Sequence, residues 1–384
     1  MNISSSNVKK VALLGGSNSL KKGGIKDGLK LNFEVLNFSL GGSTSLQNLY
    51  ELIRHDEVIR SCDLVITESN VNEFHSLNLL SCPLSIIEKN IHMYYERLST
   101  LDVPVLILLL PLQTKRFNNG EDINKLHKKY IYKYGFNFID LNEIYSSNGI
   151  NDKYYFDNLD HPPSIIMYML GSIVDIDWLQ IHKINNSESF EYLIYNDFEE
   201  LESKVKSNSM FSETVHHLDR ELRFSDNVSG YSLVGFHSWS DRNSILNVSN
   251  ETENICKRVN TECQFHEILK PINVEMTTVF DSVEFSKSLN FENSIRTEDI
   301  KKFECKLDII SFFLVKDRGN KILYEKNSHK SNCSLDLSSK VSFIKDLDTA
   351  IDEFYCMKVN SELNKSIIKK LAWRASNIFS MRFK

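Results

Sequence analysis

Four short blocks of the chain carry side chains that could do chemistry together. "VALLGGSNSL" (11–20) ends a run of β-formers on Gly15-Gly16 and delivers Ser17. "NFSLGGSTS" (37–45) offers Gly42, and "DLVITESNVNEF" (63–74) offers Asn70 and Asn72. "YYFDNLDHPPS" (154–164) offers His161, with Asp157 and Asp160 close by. Hydroxyl, imidazole, carboxylate and amide are the parts of nucleophilic acyl chemistry. A serine hydroxyl attacks poorly until a neighbouring imidazole takes its proton. The resulting tetrahedral intermediate carries a negative oxygen that preorganised donors must meet. A carboxylate behind the imidazole fixes its tautomer and steadies the imidazolium. Singly, each residue has an ordinary structural role, such as a serine capping a helix or a glycine in a turn. The weight lies in four blocks that each follow a predicted strand.

Those strands are apolar runs: "VALL" (11–14), "FEVLNF" (33–38), "DLVIT" (63–67), "VLILLL" (105–110) and "FNFIDL" (136–141). Several are apolar throughout, as parallel strands covered on both faces must be. Between them, "SLQNLYELIRHDEVIRS", "LSIIEKNIHMYYERLST" and "DINKLHKKYIYKYG" repeat apolar residues at helical spacing, the last ending on Gly135. The alternation predicts an α/β fold built on a flavodoxin-like, doubly wound parallel five-stranded sheet. Ligands of such sheets sit beyond the carboxyl ends of the strands. Ser17, Gly42 and Asn72 all follow such ends.

Taken together, the four blocks resemble the SGNH (GDSL-type) hydrolase family over residues 8–172. The resemblance makes Ser17 the nucleophile and His161 its general base. It places the oxyanion hole at the backbone N–H groups of Ser17 and Gly42 and the side-chain amide of Asn72, with Asn70 a competing amide. The sequence departs from the family at three points. Gly16 stands where the family has aspartate before the serine, and the G-x-N-D block reads Asn70-Val71-Asn72-Glu73. Asn158 occupies the position three before the histidine, where the family has its third triad member. Residues i and i+4 of a helical turn share a face, which favours Asp157 as the residue that orients His161 and leaves Asp160 open. The resemblance implies an esterase or O-acyltransferase acting on O-acyl groups, acetyl foremost, of a carbohydrate. It needs no cofactor beyond an acyl donor such as acetyl-CoA if it is a transferase. The competing expectation is a non-catalytic glycan-binding or scaffold protein with a degraded triad.

At 384 residues the chain predicts more than one domain. The SGNH-like α/β domain is expected over 1–182, because eleven of the fourteen glycines and five of the six prolines precede that point. An acidic helical linker is expected over 183–209 and a β-rich domain over 210–340, for which a sandwich is one arrangement. A helical basic C-terminal segment is expected over 341–384. Within it, from Lys358 to Lys384, the basic residues Lys358, Lys365, Lys369, Lys370, Arg374, Arg382 and Lys384 stand against one acid, Glu362, and suit contact with an anionic polymer or a membrane surface.

A formal net charge of −6 argues against nucleic acid as a partner. Seven scattered cysteines without a C-x-x-C pair are neither a disulfide framework nor a zinc site, and no metal is expected. "GGSNSLKKGG" lacks the G-x-x-x-x-G-K-[ST] phosphate loop. "MNISSSNVKK" has no apolar core of the signal-peptide kind, and "VPVLILLLPL" is too short to span a bilayer, so a cytoplasmic protein is expected.

Overall fold

The computed structural model describes residues 8–111, 120–147, 161–181, 188–284, 286, 291–292, 306–319 and 334–347. One sheet contains β1 (Lys10–Leu14), β2 (Glu34–Asn37), β3 (Leu64–Thr67), β4 (Val105–Leu109) and β5 (Asn137–Asp140). All its pairings are parallel, in the order β2-β1-β3-β4-β5, which is the flavodoxin-like doubly wound sheet expected. Apart from Lys10, every residue of β1, β3, β4 and β5 is buried, the physical reason β1, β3 and β4 read as apolar runs; β5 buries Asn137 and Asp140 at its two ends, each hydrogen-bonded.

The helices around this sheet are α1 (Ser17–Leu20), α2 (Ile25–Leu29), α3 (Ser45–Arg54), α4 (Asp56–Arg60), α5 (Asn70–Asn78), α6 (Leu84–Leu98), α7 (Gly120–Tyr134), α8 (Leu141–Ser147) and α9 (Ser164–Ile173). The periodic run 45–61 is broken into α3 and α4 at His55, whose φ of −116° and ψ of 26° leave the helical region. No helix among the described residues is long and apolar enough to cross a membrane.

The second region is antiparallel. Its strands are β6 (Phe190–Tyr195), β7 (Ser203–Ser207), β8 (Ser212–Leu218), β9 (Leu222–Arg223), β10 (Ser232–Ser238), β11 (Ser244–Ser249), β12 (Asn254–Val259), β13 (Gln264–Asn273), β14 (Val279–Ser282) and β15 (Leu307–Asp317). A six-stranded sheet runs β13-β10-β15-β8-β7 with β6 also paired to β15, and a four-stranded sheet runs β12-β11-β14-β9. The two pack face to face around Phe236, Phe280 and Phe312, with Phe280 and Phe312 ring centroids 4.7 Å apart.

The helical linker expected over 183–209 is therefore corrected: its described part holds strands β6 and β7. The cause is tertiary. Alternate side chains of β6 enter different cores, with Phe190, Tyr192 and Ile194 on the α/β core and Leu193 and Tyr195 on the sandwich core. A period of two satisfies both cores; a helix could satisfy neither. Phe313 and Val315 of β15 likewise face the α/β layer, whereas Phe312 and Leu314 face the sandwich. The six-stranded sheet is thus a middle layer.

Residues 334–347 also depart from expectation, returning to the α/β domain to cover its β5 edge. Phe138 N–H donates to Leu335 O at 3.0 Å and Leu337 N–H to Phe138 O at 2.9 Å, and Ser338–Leu347 follows as 3-10 turns. An uncovered edge strand is an aggregation hazard, and this segment removes it. The remainder of the expected basic segment, 348–384, lies outside the described residues.

Candidate active site

The strand order of the parallel sheet reverses between β1 and β3, and the crevice beyond the carboxyl ends of such a pair is where ligands bind. Ser17 leaves β1 at that point as the first residue of α1, and Asn72 leaves β3 there on α5. His161 arrives from 144 residues away, and its Nε2 lies 2.5 Å from Ser17 Oγ. The helices that follow these two residues hold them together. α2 and α9 cross so closely that a Cβ on Gly28 would strike Tyr168 O and one on Gly171 would strike Ile25 O.

The turn before Ser17 is held from β3. Glu68 Oε1 accepts from Gly16 N–H at 2.7 Å and from Ser19 Oγ at 2.9 Å. Gly16 has an ordinary φ of −95°, but a Cβ there would collide with the Asn72 amide nitrogen. Gly42 is the opposite case. Its added Cβ would meet nothing within 4 Å, yet its φ of +79° lies in the left-handed region that glycine enters without strain. One glycine is required by space and the other by dihedral angle.

Asn72 Nδ2 donates to Ser43 O at 2.8 Å, which orients the amide and leaves its second N–H. Asn70 is committed elsewhere. Its Nδ2 donates to Leu110 O at 2.8 Å and Asn124 Oδ1 at 2.9 Å, and its Oδ1 accepts from Leu110 N–H at 3.0 Å. The competing amide thus ties α5 to β4. Glu73, at the family's aspartate position, accepts from Ser45 N–H at 2.5 Å and so pins the first turn of α3 behind the Gly42 loop. Burial alone would raise its carboxyl, but His127 and the Ser45 bonds hold it below the ordinary value. Asp157 and Asp160 lie outside the described residues.

A cavity of about 450 Å³ opens over Ser17 and His161, within the range ligand sites occupy. One wall is the α/β domain, including Gly42, Gln47 and Asn72; the other comes from β12, β13 and the turn between them, which carries the chain from one antiparallel sheet to the other, and includes Arg258, Phe265 and Glu267. The walls are fastened across the domain boundary. The Thr44 hydroxyl donates to Glu267, and Arg54 grips Glu213 with two guanidinium nitrogens. Tyr50 OH meets Ser311 Oγ at 2.8 Å and His237 Nδ1 at 3.1 Å. Burial holds the His237 imidazole well below its ordinary range, so it is a neutral partner in a buried junction.

The arrangement places an imidazole where it can take the hydroxyl proton. Ser17, Gly42 and Asn72, the residues expected to supply the three donors, line the same cavity. Sequence reading missed Glu68, Gln47, Arg258 and Glu267. Glu68 had one local signal: an acid directly at the end of an apolar strand, "VITE". Gln47, Arg258 and Glu267 had none.

Burial pushes the Glu68 carboxyl up to about 7, against the hydrogen bonds of Gly16 and Ser19, and pushes Glu267 up to about 8. Both folded values lie above the ordinary 4.5 of an unfolded chain. Their contribution to stability is therefore complete below that value and is lost as pH rises through about 7 and then about 8. Thermal unfolding between pH 6 and pH 9 is expected to show a midpoint falling by several degrees, with Glu267→Gln flattening the upper part of the decline. A midpoint that rises with pH, or a Glu267→Gln curve parallel to wild type, contradicts this account.

No protein-family model matches the chain, and no curated protein matches it in sequence. Solved structures similar to it include the acetyl xylan esterase AlAXEase, at 17% identity and a TM-score of 0.36, covering 43% of this chain and 100% of that one. The acetylxylan esterase Axe2 from Geobacillus stearothermophilus is 15% identical with a TM-score of 0.35, covering 43% of this chain and 90% of that one. A G-D-S-L family protein from Desulfitobacterium hafniense DCB-2 is 18% identical with a TM-score of 0.36, covering 43% of this chain and 95% of that one.

Proposed function

We propose that this chain is an SGNH-type serine enzyme, an esterase or O-acyltransferase, that cleaves or transfers an O-acyl group, acetyl foremost, carried by a carbohydrate. The observation that carries the reading is the 2.5 Å approach of Ser17 Oγ and His161 Nε2 at the rim of a parallel sheet. Hydrogen-bond reach between nucleophile and base is the first geometric requirement of the chemistry. The four blocks and their order support the family reading. The appended β region, which walls the cleft, supports a substrate with more to hold than its acyl group.

In this reading Ser17 Oγ attacks the acyl carbonyl carbon while its proton passes to His161 Nε2. The carbonyl oxygen becomes an oxyanion facing the Ser17 and Gly42 N–H groups and the Asn72 amide. Collapse breaks the carbon–oxygen bond to the leaving alcohol, which takes the proton from His161 and departs, leaving an acyl-serine. Water resolves it in an esterase, or a sugar hydroxyl in a transferase; where the acyl donor is a thioester such as acetyl-CoA, the bond broken in the first step is carbon–sulfur and the leaving thiol takes the proton. Asp157 or Asp160 orients the imidazole.

A fluorophosphonate probe tests the assignment directly. Wild type is expected to be labelled and Ser17→Ala to be blank. Labelling that persists in Ser17→Ala removes Ser17 as nucleophile, and a wild type that never labels favours the scaffold reading.

A further inference from the structure

The loop that carries the Gly42 N–H, Leu40–Ser45 between β2 and α3, is tied down mostly from within the α/β domain. Leu40 N–H donates to Gly15 O at 3.0 Å, and Ser43 Oγ donates to Leu40 O at 2.6 Å. Ser43 O accepts from the Asn72 amide, and Ser45 N–H donates to Glu73. The crest of the loop is different. Gly41 and Gly42 are exposed, and a Cβ on either would meet nothing within 4 Å. Nothing packs on the crest from the cleft side.

One tie on this loop comes from the other domain. The Thr44 hydroxyl donates to Glu267 of β13, and both residues line the cavity over Ser17. Thr44 is the N-cap of α3, where a threonine ordinarily turns its oxygen back onto the first turn of its own helix. Here it makes no such bond. Glu73 takes the Ser45 N–H, and the Thr44 hydroxyl is committed across the domain boundary. β13 is seated for this contact. Phe265 and Glu267, two residues apart, project from the same face of the strand. The Phe265 ring centroid lies 4.9 Å from that of Tyr50 on α3, and Arg54 closes the far end of α3 on Glu213. The helix behind the loop is thus gripped by the β region at its start, middle and end. Burial pushes the Glu267 carboxyl up to about 8, so at neutral pH it is an uncharged acceptor. A carboxylate at this place would oppose the negative oxygen that the loop must meet.

We propose that Glu267 is a positioning residue for the reaction: through the Thr44 hydroxyl, the β region fixes the loop that presents the Gly42 N–H to the oxyanion. This rests on the esterase or acyltransferase reading and adds to it that the appended β region takes part in catalysis as well as walling the cleft.

Turnover of p-nitrophenyl acetate and the rate of fluorophosphonate labelling, both measured on the full-length protein, test the contact. Thr44→Val keeps the shape of the side chain and loses the hydroxyl. It is expected to lower kcat and the labelling rate about 5- to 20-fold, less than the 10²- to 10³-fold of removing an oxyanion donor outright. KM is expected to stay within about twofold, because the ground-state carbonyl needs the donor less than the oxyanion does. Glu267→Leu removes the same bond from the other side and is expected to match Thr44→Val. Glu267→Gln is neutral, as the protonated acid is, and keeps an oxygen for the hydroxyl, so it is expected to regain most of the rate. Thr44→Val/Glu267→Leu is expected to be no slower than the slower single variant, since both break one bond. If Glu267→Leu fails to fold, Thr44→Ser, which restores the hydroxyl and is expected to outpace Thr44→Val, reads the same contact. Single variants at the wild-type rate, fully additive losses, a Glu267→Gln as slow as Glu267→Leu, or a loss carried by KM overturns the proposal. Unslowed variants of a protein that labels at Ser17 remove this role of Glu267 and leave the catalytic reading standing. A wild type that neither labels nor turns over overturns both.

Discussion

Replacing His161 by alanine is expected to lower turnover of p-nitrophenyl acetate by about 10⁴- to 10⁶-fold, with little change in folding stability. The size follows from the role. With Nε2 2.5 Å from Ser17 Oγ, the imidazole is the group placed to accept the proton as the oxygen attacks. Without it the hydroxyl must attack as a neutral alcohol or give its proton to water. Members of one catalytic unit are strongly non-additive, so Ser17→Ala/His161→Ala is expected to be no slower than Ser17→Ala alone. One of Asp157→Asn and Asp160→Asn is expected to show a loss of about 10⁴-fold, the signature of a misoriented imidazole. A His161→Ala enzyme within tenfold of wild type rules out His161 as base, whatever becomes of the fold.

The parts of this molecule that were legible in sequence share a physical property: their signal is local. β1, β3 and β4 are buried on both faces, so each had to be largely apolar along its length and stood out as a run. Ser17, Gly42, Asn72 and His161 each sit next to such a run or in a short recognisable block. What was illegible depends on distant surfaces. "SFEYLIYNDFEELESKV" read as a helix because its acids and apolar residues also fit a helical spacing, and two cores facing β6 from opposite sides decide otherwise. The β12–β13 wall reaches the cleft from a distant part of the chain: Thr44 and Glu267 are 223 residues apart. No pattern near residue 258 signals that it will line a cleft together with a serine near the N-terminus. Glu68 is an intermediate case. Its position at a strand end was readable, but its bond to Gly16, 52 residues earlier, was not.

Under the proposed mechanism, restoring the aspartate that the G-D-S-L motif places before the serine is expected to lower activity rather than raise it. The Asn72 amide nitrogen occupies the space a Cβ on Gly16 would need, and the turn already receives its carboxylate from Glu68 through the Gly16 N–H at 2.7 Å. Gly16→Asp therefore adds a second carboxylate to a turn that has one, and pushes the Asn72 amide off its bond to Ser43 O. Gly16→Ala makes the same push without the charge. Displacing one oxyanion donor costs about 10²- to 10³-fold in kcat, with KM nearly unchanged because the ground-state carbonyl needs the donor less than the oxyanion does. If the loss passes through Asn72, then Asn72→Ala lowers kcat to a similar level, and Gly16→Ala/Asn72→Ala is scarcely worse than either single variant. Full additivity of the two losses would mean that Gly16 acts by another route. A Gly16→Asp enzyme as active as wild type would mean that Glu68 and Asn72 do not hold the turn and its amide donor in the positions described.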